Sequence, residues 1–241
     1  MKISKYRGIV LKTSTIKEAD VCASILTPDG CGKFIFKGLK KSRKRDTAAG
    51  YPGSIIEFNV YERGNFIPIV SNFSVVFFPS NITSDFAKLS AMNCMLEIIF
   101  RTTAEKDPHS NMIISAEKYL NLFNSDTSPF DTLNMFILDY FSIHGIMPGL
   151  NKCCHCGNTS EQMYLSIRNK SLVCAKCSDE KIIARFTLES DDVRYIGGII
   201  ENRGILSDAR KTALALLFLN YIENYYHVEF NSKKIFGGIY D

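Results

Sequence analysis

The chain has 241 residues, of which 46% are hydrophobic and 22% are charged. This composition is that of a globular protein and excludes a disordered or fibrous chain. The longest purely apolar run, Ala213 to Leu219, is far shorter than the roughly 20 residues of a membrane span. The amino terminus has no apolar segment typical of a secretory signal. We therefore expect a cytoplasmic protein that makes no use of a membrane.

Positive charge is concentrated at the start of the chain, although the formal net charge is only +4. Residues 1–50 contain 12 Lys and Arg against 4 Asp and Glu, whereas residues 51–241 contain 17 against 21. An excess of one sign confined to one part of a chain predicts a partner of opposite charge for that part. The sequence therefore predicts a polyanion as the partner of the first fifth.

The first 80 residues have the pattern of short strands separated by turns. The predicted strands are Tyr6–Ser14, Val21–Thr27, Lys33–Lys37, Gly53–Tyr61 and Phe66–Phe78. In the third of these, Phe34 and Phe36 alternate with other residues and share one face, which favours a place in the core over base stacking. Five strands without an intervening helix are typical of a small closed barrel.

Apolar residues recur at helical spacing after residue 80. One predicted helix begins after the cap candidates Thr83–Asp85, a second contains Ile113–Phe123, and a third begins at Ser128 with Pro129 in its first position. The last two predicted helices cover Leu188–Ile200 and Asp208–Tyr226. The second of these is apolar on nearly every side, so we expect it at the buried centre of the helical part.

These patterns predict an α+β protein with two domains. Residues 1–80 are expected to form a small closed β-barrel, and residues 81–241 are expected to form an all-α domain. A zinc-ribbon-like insert with four cysteines occupies residues 151–180 of the second domain.

Four cysteines of the insert are spaced as metal ligands. Cys153 and Cys156 form one Cys-x-x-Cys pair, and Cys174 and Cys177 form a second one 17 residues further on. This spacing is that of a four-thiolate zinc site. Four protein ligands leave no position for a catalytic water, so we predict one structural Zn²⁺. Reduced thiols without metal, or a redox pair, are the alternative interpretation.

The 17-residue spacer is predicted to form a β-hairpin that turns at Asn169-Lys170 and returns the chain to the second cysteine pair. Cys154 and His155 compete as ligands with the four chosen cysteines. Cys154 lies only two residues from Cys156, which is too close for a regular knuckle, and we therefore set both aside.

Six basic residues follow directly on the predicted Phe34–Phe36 strand. They are Lys37, Lys40, Lys41, Arg43, Lys44 and Arg45. Because like charges repel, such a run must be solvated or paired with an anion. It lies where a barrel loop is expected, and barrels of this kind bind nucleic acid along a positive groove. We predict contacts to DNA phosphates without base preference; a solvated loop or a localisation signal is the alternative.

An enzyme is not expected. The sequence has neither the phosphate-binding glycine loops nor the nucleophile elbow of common enzyme families. The four histidines are scattered along the chain, and none has a neighbour that would form a base–nucleophile pair. Asp191 and Asp192 are adjacent, so on a helix they would point apart, and a capping role is favoured.

Taken together, these features resemble the RecO family of bacterial recombination-mediator proteins. The resemblance lies in the order of elements and in several short segments. These are Tyr6–Leu11, Thr27–Gly30, the basic stretch after Phe36–Gly38, Phe141–Pro148 before the first cysteine pair, and Asn231–Lys234. One departure is the hairpin turn Arg168–Ser171, because the family usually has a glycine-rich turn there. Some family members lack the zinc site, so the metal prediction depends on the four cysteines of this chain.

The resemblance implies an OB-fold, a helical domain and a zinc-binding insert. It also implies binding of single- and double-stranded DNA and annealing of complementary strands. The implied partners are RecR and the acidic, apolar C-terminal tail of single-strand-binding protein, with RecA loaded indirectly onto the coated DNA. The resemblance also implies that the protein hydrolyses no nucleotide itself when it carries out these steps.

Two other functions stay open at this point. A zinc-ribbon transcription or RNA-associated adaptor would act mainly through protein contacts. A zinc-dependent hydrolase would need a metal with three protein ligands and a bound water.

Overall fold

The computed structural model describes residues 2–41, 45–62, 64, 66–104, 110–159, 162–178, 187–199 and 205–239. The chain forms two compact units, residues 1–126 and residues 127–241. The predicted boundary near residue 80 marks the change from strands to helices and does not coincide with this division.

Five strands of the first unit close into a barrel in the order β1-β2-β3-β5-β4. The strands are β1 (Lys2–Thr15), β2 (Val21–Thr27), β3 (Gly30–Phe36), β4 (Ile55–Glu62) and β5 (Ile69–Phe77). All neighbours pair antiparallel except β3 and β5, which meet in parallel at Ile35 and Ile69. This is the predicted OB-fold barrel, and the α+β class is confirmed.

Aromatic rings fill the barrel. Phe34 and Phe36 are 6% and 2% exposed, and Phe58 packs edge-on against Phe34 with ring centroids 4.9 Å apart. Tyr6 covers the same rings from β1. Phe34 and Phe36 therefore belong to the core, which confirms the prediction and leaves neither ring free to stack on a base.

Three helices complete the first unit: α1 (Ser80–Thr83), α2 (Phe86–Thr102) and α3 (Ser110–Asn124). As predicted, Asp85 caps α2, and its side chain accepts a hydrogen bond from Lys88 N. Helices α2 and α3 pack against β1 of the barrel, and α1 packs against α2 and α3. Arg7 of β1 joins Glu117 of α3 through two hydrogen bonds of 3.1 and 3.0 Å. Because of this packing, the helices share a unit with the barrel.

The second unit is mainly helical. Its elements are α4 (Pro129–His144), β6 (Met163–Ser166), β7 (Ser171–Cys174), α5 (Ser190–Gly197), α6 (Asp208–Tyr226) and α7 (Ser232–Gly237). As predicted, Ser128 caps α4 and Pro129 opens it; Gly145 ends the helix in the left-handed conformation at φ 64°. Among the described helices, none combines the length and apolar character needed to cross a membrane.

Helix α5 is shorter than predicted at both ends, because Glu189 starts it with a capping box and it ends at Gly197. The Asp192 carboxylate accepts from Glu189 N at 2.8 Å, so Asp192 has the predicted capping role. Its second oxygen accepts from Arg210 Nε at 2.9 Å, which fixes α5 to α6. Ile200, the predicted last residue, lies outside the described residues.

A buried ion pair joins α4 and α6. Lys211 Nζ lies 3.0 Å from an Asp131 oxygen, and both side chains are at least 94% buried. Tyr195 donates to the other Asp131 oxygen at 2.7 Å, and Asn134 donates to Lys211 O at 3.0 Å. Burial, with the adjacent Asp131 charge, raises the pKa of Tyr195, so this hydroxyl stays protonated as a donor. Burying two charges is tolerated here because each has hydrogen-bond partners.

We expect Lys211→Met to lower the free energy of unfolding of the second unit by about 3–5 kcal/mol, because it leaves Asp131 buried without its cation. The control is Arg194→Met, which removes the exposed pair with Asp191 and is expected to cost at most about 1 kcal/mol. Urea unfolding followed by circular dichroism measures both. Equal losses in the two variants would contradict the role assigned to Lys211.

Candidate metal centre and nucleic-acid interface

The cysteine-rich insert is built on the predicted hairpin of β6 and β7. The register pairs Met163 with Cys174, so the end of β7 places the first cysteine of the second pair beside the start of β6. The segment before Cys153 runs along the other side of β7: Leu172 N donates to Gly149 O at 2.8 Å, and Cys154 N donates to Leu172 O at 2.9 Å. Both cysteine pairs are thus fixed to the same short strand.

Gly149 packs closely against the side chain of Ser171. A Cβ built at Gly149 would lie 2.5 Å from Ser171 Oγ, so a larger residue there would require this hydroxyl to move. The same hydroxyl donates to Gly149 O at 3.1 Å and adds to the pairing between this segment and the hairpin.

The four predicted ligands converge. The sulfur atoms of Cys153, Cys156, Cys174 and Cys177 all lie within 4.8 Å of one another, and the Cys156 and Cys174 sulfurs are 3.7 Å apart. A tetrahedron with metal–sulfur bonds of about 2.3 Å has edges of roughly 3.8 Å. The arrangement therefore fits one tetrahedral metal ion held by four thiolates.

The surroundings of the cluster favour the thiolate form of Cys153 and the thiol form of Cys177. Backbone N–H groups of Cys156 and Cys174 donate to the Cys153 sulfur and lower the pKa of Cys153 to about 6. Hydrogen bonding to the sulfurs of Cys156 and Cys174 raises the pKa of Cys177, because adjacent thiols share one negative charge. A bound cation would displace the remaining protons from the thiols, since it stabilises all four ionised sulfurs together.

Cys154 and His155 lie outside the cluster, in agreement with their exclusion as ligands. Cys154 is exposed. His155 Nε2 lies 3.1 Å from Asn169 Nδ2 in the hairpin turn, so this ring is oriented toward the turn. Lys170 in the same turn has φ 49°, a backbone conformation that glycine adopts without strain. Lys170 thus adopts the conformation that a glycine would adopt in this turn, and the hairpin forms without a glycine.

The basic segment begins where β3 ends. Lys37, Lys40 and Lys41 are exposed, and residues 39–41 form a short 3-10 helix. Two hydrogen bonds fix this helix to the β1–β2 loop: Gly38 N donates to Asp20 Oδ1 at 2.8 Å, and Lys40 N donates to Ala19 O at 3.1 Å. Three of the six predicted cations therefore lie on an ordered part of the barrel.

The other three predicted cations are described less fully. Arg43 and Lys44 lie outside the described residues. Arg45 is the first residue of a second 3-10 helix, Arg45–Gly50, and the structure describes its backbone. The assignment of these three residues to DNA stays a prediction.

A cavity of about 250 Å³ adjoins Lys40. It is lined by Thr13, Ser14, Thr15, Val21, Leu39, Lys40, Thr47 and Gly50. Lys40 Nζ lies 2.6 Å from Thr15 Oγ1, so an ammonium group and hydroxyl donors meet in one place. Such donors are those that bind phosphate oxygens. The sequence did not single out these hydroxyls, because ordinary strand alternation accounts for Thr and Ser at the end of β1.

The fold and the site together define a class: a two-unit α+β protein with an OB-fold barrel at its amino-terminal end and, in its second unit, an insert whose four thiols could hold a metal ion. Two family models match the chain. The model described as Recombination protein O N terminal covers residues 1–76, and Recombination protein O C terminal covers residues 83–188. The chain belongs to the RecO family of DNA repair proteins.

Individual relatives are similar over most of their length. The DNA repair protein RecO of Thermoanaerobacter sp. (strain X514) is 24% identical over 246 residues, covering 99% of both chains. That of Desulforamulus reducens is 25% identical and covers 100% of this chain and 96% of the relative. The RecO protein of Bacillus subtilis is 23% identical over 74% of this chain and 70% of its own.

We expect Cys174→Ser to abolish metal binding and to destabilise the insert, because Cys174 is buried and belongs to both the hairpin and the cluster. Cys154→Ser is the matched control, since Cys154 is exposed and outside the cluster. Native mass spectrometry of protein produced with added zinc should show about one metal ion per chain in the control and none in the Cys174 variant. A metal-free wild-type protein that is fully folded would contradict the assignment.

Proposed function

We propose that this protein binds single- and double-stranded DNA through the barrel and anneals complementary strands. With RecR it would help load RecA onto DNA coated by single-strand-binding protein during recombinational repair. The observation that carries the proposal is the group of exposed lysines, Lys37, Lys40 and Lys41, that the barrel holds together next to a hydroxyl-lined cavity. Family membership supports the repair context.

The barrel would grip DNA through its backbone. Ammonium groups on phosphates release counterions, which gives affinity without reading sequence. Lys41 has one weak competitor, the exposed Glu18 carboxylate 3.6 Å away, and exposed pairs of this kind contribute at most about 1 kcal/mol. A phosphate could therefore displace Glu18 at little cost. Binding without base preference suits a protein that must pair strands of any sequence.

The metal ion would be one structural Zn²⁺ held by Cys153, Cys156, Cys174 and Cys177. Four sulfur donors at tetrahedral separation are the set that zinc prefers in structural sites, and they leave no coordination position for water. This donor set supports a non-enzymatic role and does not favour a zinc hydrolase. The ion would stabilise the insert, while this chain's own residues make the contacts to partners.

The partners follow from the family resemblance. We propose RecR and the C-terminal tail of single-strand-binding protein as protein partners, with the tail docking on the helical domain. RecA would be an indirect partner that is loaded onto the DNA. The protein would act in the bacterial cytoplasm, associated with the nucleoid. We assign no residues to these surfaces.

We expect Lys37→Ala, Lys40→Ala and Lys41→Ala together to weaken binding to both single strands and duplexes of any sequence. The slope of log affinity against log salt for single strands should become shallower by about 2, because each lost phosphate contact contributes about 0.7. The charge-matched control replaces Arg168, Lys176 and Lys234, which are exposed in the second unit. Fluorescence anisotropy with labelled oligonucleotides at several salt concentrations gives both quantities.

The same variants separate the proposal from an adaptor that acts through protein contacts. The wild-type protein should accelerate pairing of complementary oligonucleotides, and the lysine triple variant should do so less. If the slope of log affinity against log salt is unchanged in the triple variant, these three lysines do not contact DNA phosphates. A wild-type protein that binds DNA without accelerating annealing would favour the adaptor.

A further inference from the structure

The connection between β4 and β5 presents an exposed aromatic ring. Phe66 is 79% exposed, the largest fraction for any large hydrophobic side chain in the described part of the chain, and Ile67 beside it is 43% exposed. A single exposed apolar residue is common and by itself indicates nothing. The lysines near Phe66 are what indicate a ligand contact for this ring.

The segment that carries Phe66 is fixed to the end of β3. Ile35 N donates to Pro68 O at 3.0 Å, and Ile35 pairs with Ile69 where the barrel closes. Phe66 and Lys37 each lie two residues from this hydrogen bond, and a residue spans at most about 3.6 Å of chain. The ring and the first exposed lysine of the basic segment are therefore within the length of a short oligonucleotide.

The outer face of β2 and β3 is cationic. Because Phe34 and Phe36 point into the barrel, Lys33, Ile35 and Lys37 point outward. The residues opposite them on β2 are uncharged: Ser24 pairs with Lys33, and Cys22 pairs with Ile35. Lys33 and Lys37 are exposed, and no carboxylate in the described part of the chain forms an ion pair with either one. This face thus offers uncompensated positive charge next to an exposed ring.

We propose that Phe66 stacks on a base of single-stranded nucleic acid that crosses the outer face of β2 and β3, with Lys33 and Lys37 on its phosphates. A positive groove combined with an exposed ring is the arrangement by which barrels of this kind hold single strands. In a duplex both faces of each base are already stacked, so Phe66 contributes to single strands alone. The inference rests on the proposed function, since it takes DNA as the ligand, and adds the residue that distinguishes the two forms.

The test compares Phe66→Ala with Phe86→Ala. Phe86 is 63% exposed at the start of α2, so it resembles Phe66 in type and exposure but belongs to a helix and not to β2, β3 or the β4–β5 connection. We expect Phe66→Ala to weaken binding of a thymine oligonucleotide about fivefold or more, the smallest loss typical of one stacked base. Duplex affinity and the salt slope should not change, because no phosphate contact is lost. Phe66→Tyr should retain affinity, and Phe86→Ala should have no effect.

A second measurement reports stacking directly. The chain contains no tryptophan, so Phe66→Trp introduces a single tryptophan whose emission, excited at a wavelength that tyrosine does not absorb, should be quenched when the oligonucleotide binds. Phe86→Trp should show no quenching.

Each outcome decides between the possibilities. If Phe66→Ala leaves single-strand affinity unchanged while the lysine triple variant loses it, stacking is wrong and the proposed function stands. Equal losses for single strands and duplexes would also overturn the stacking role. If Phe66→Ala binds DNA normally but loses a purified protein partner, the loop is a protein contact instead. If the wild-type protein binds no DNA, the proposed function fails as well.

Discussion

Like charges repel, yet the barrel holds Lys37, Lys40 and Lys41 close together at the end of β3. Hydrogen bonds from the N–H groups of Gly38 and Lys40 to the β1–β2 loop fix the backbone that carries these lysines. Two described carboxylates lie near this segment: Glu18 is exposed and pairs weakly with Lys41, and Asp20 accepts a hydrogen bond from Gly38 N. An arrangement that is electrostatically unfavourable in isolation becomes favourable when a polyanion covers it. The proposed DNA site depends on this balance.

The two units contribute in different ways. In the first unit, a core of aromatic rings makes the barrel rigid, and its surface residues are available for ligand. In the second, two strands of only four residues each carry the thiol cluster, and a hairpin of that size is marginally stable alone. Four thiols that converge on one position provide the missing stability when a metal ion joins them. The metal is therefore expected to matter for the fold of the insert and to leave the barrel's contacts to DNA unaffected.

Local patterns in the sequence were sufficient to predict much of this structure. The bounds of β2 and α6, the caps at Asp85 and Ser128, and the hairpin between the cysteine pairs are confirmed. Features that depend on distant partners were missed. The first residues of β1 lack alternation and form strand because β4 lies beside them.

In the candidate site, too, residues that form a local pattern were predicted, and residues that depend on the closed barrel were not. The spacing of four cysteines revealed the cluster, and a run of basic residues revealed Lys37, Lys40 and Lys41. Lys33 and Phe66 were overlooked as surface residues, because their significance appears only when the barrel closes at Ile35 and Ile69. Lys211 was hidden in an apolar helix, since its partner Asp131 lies 80 residues away in the sequence.

The salt dependence of DNA binding by the unmodified protein tests the central claim most directly. Titration of a labelled oligonucleotide and of the corresponding duplex, from dilute buffer to physiological ionic strength, should show affinity that falls steeply and linearly on logarithmic axes for both forms. Absence of binding in dilute buffer, or an affinity indifferent to salt, would contradict a site built from lysines on phosphates.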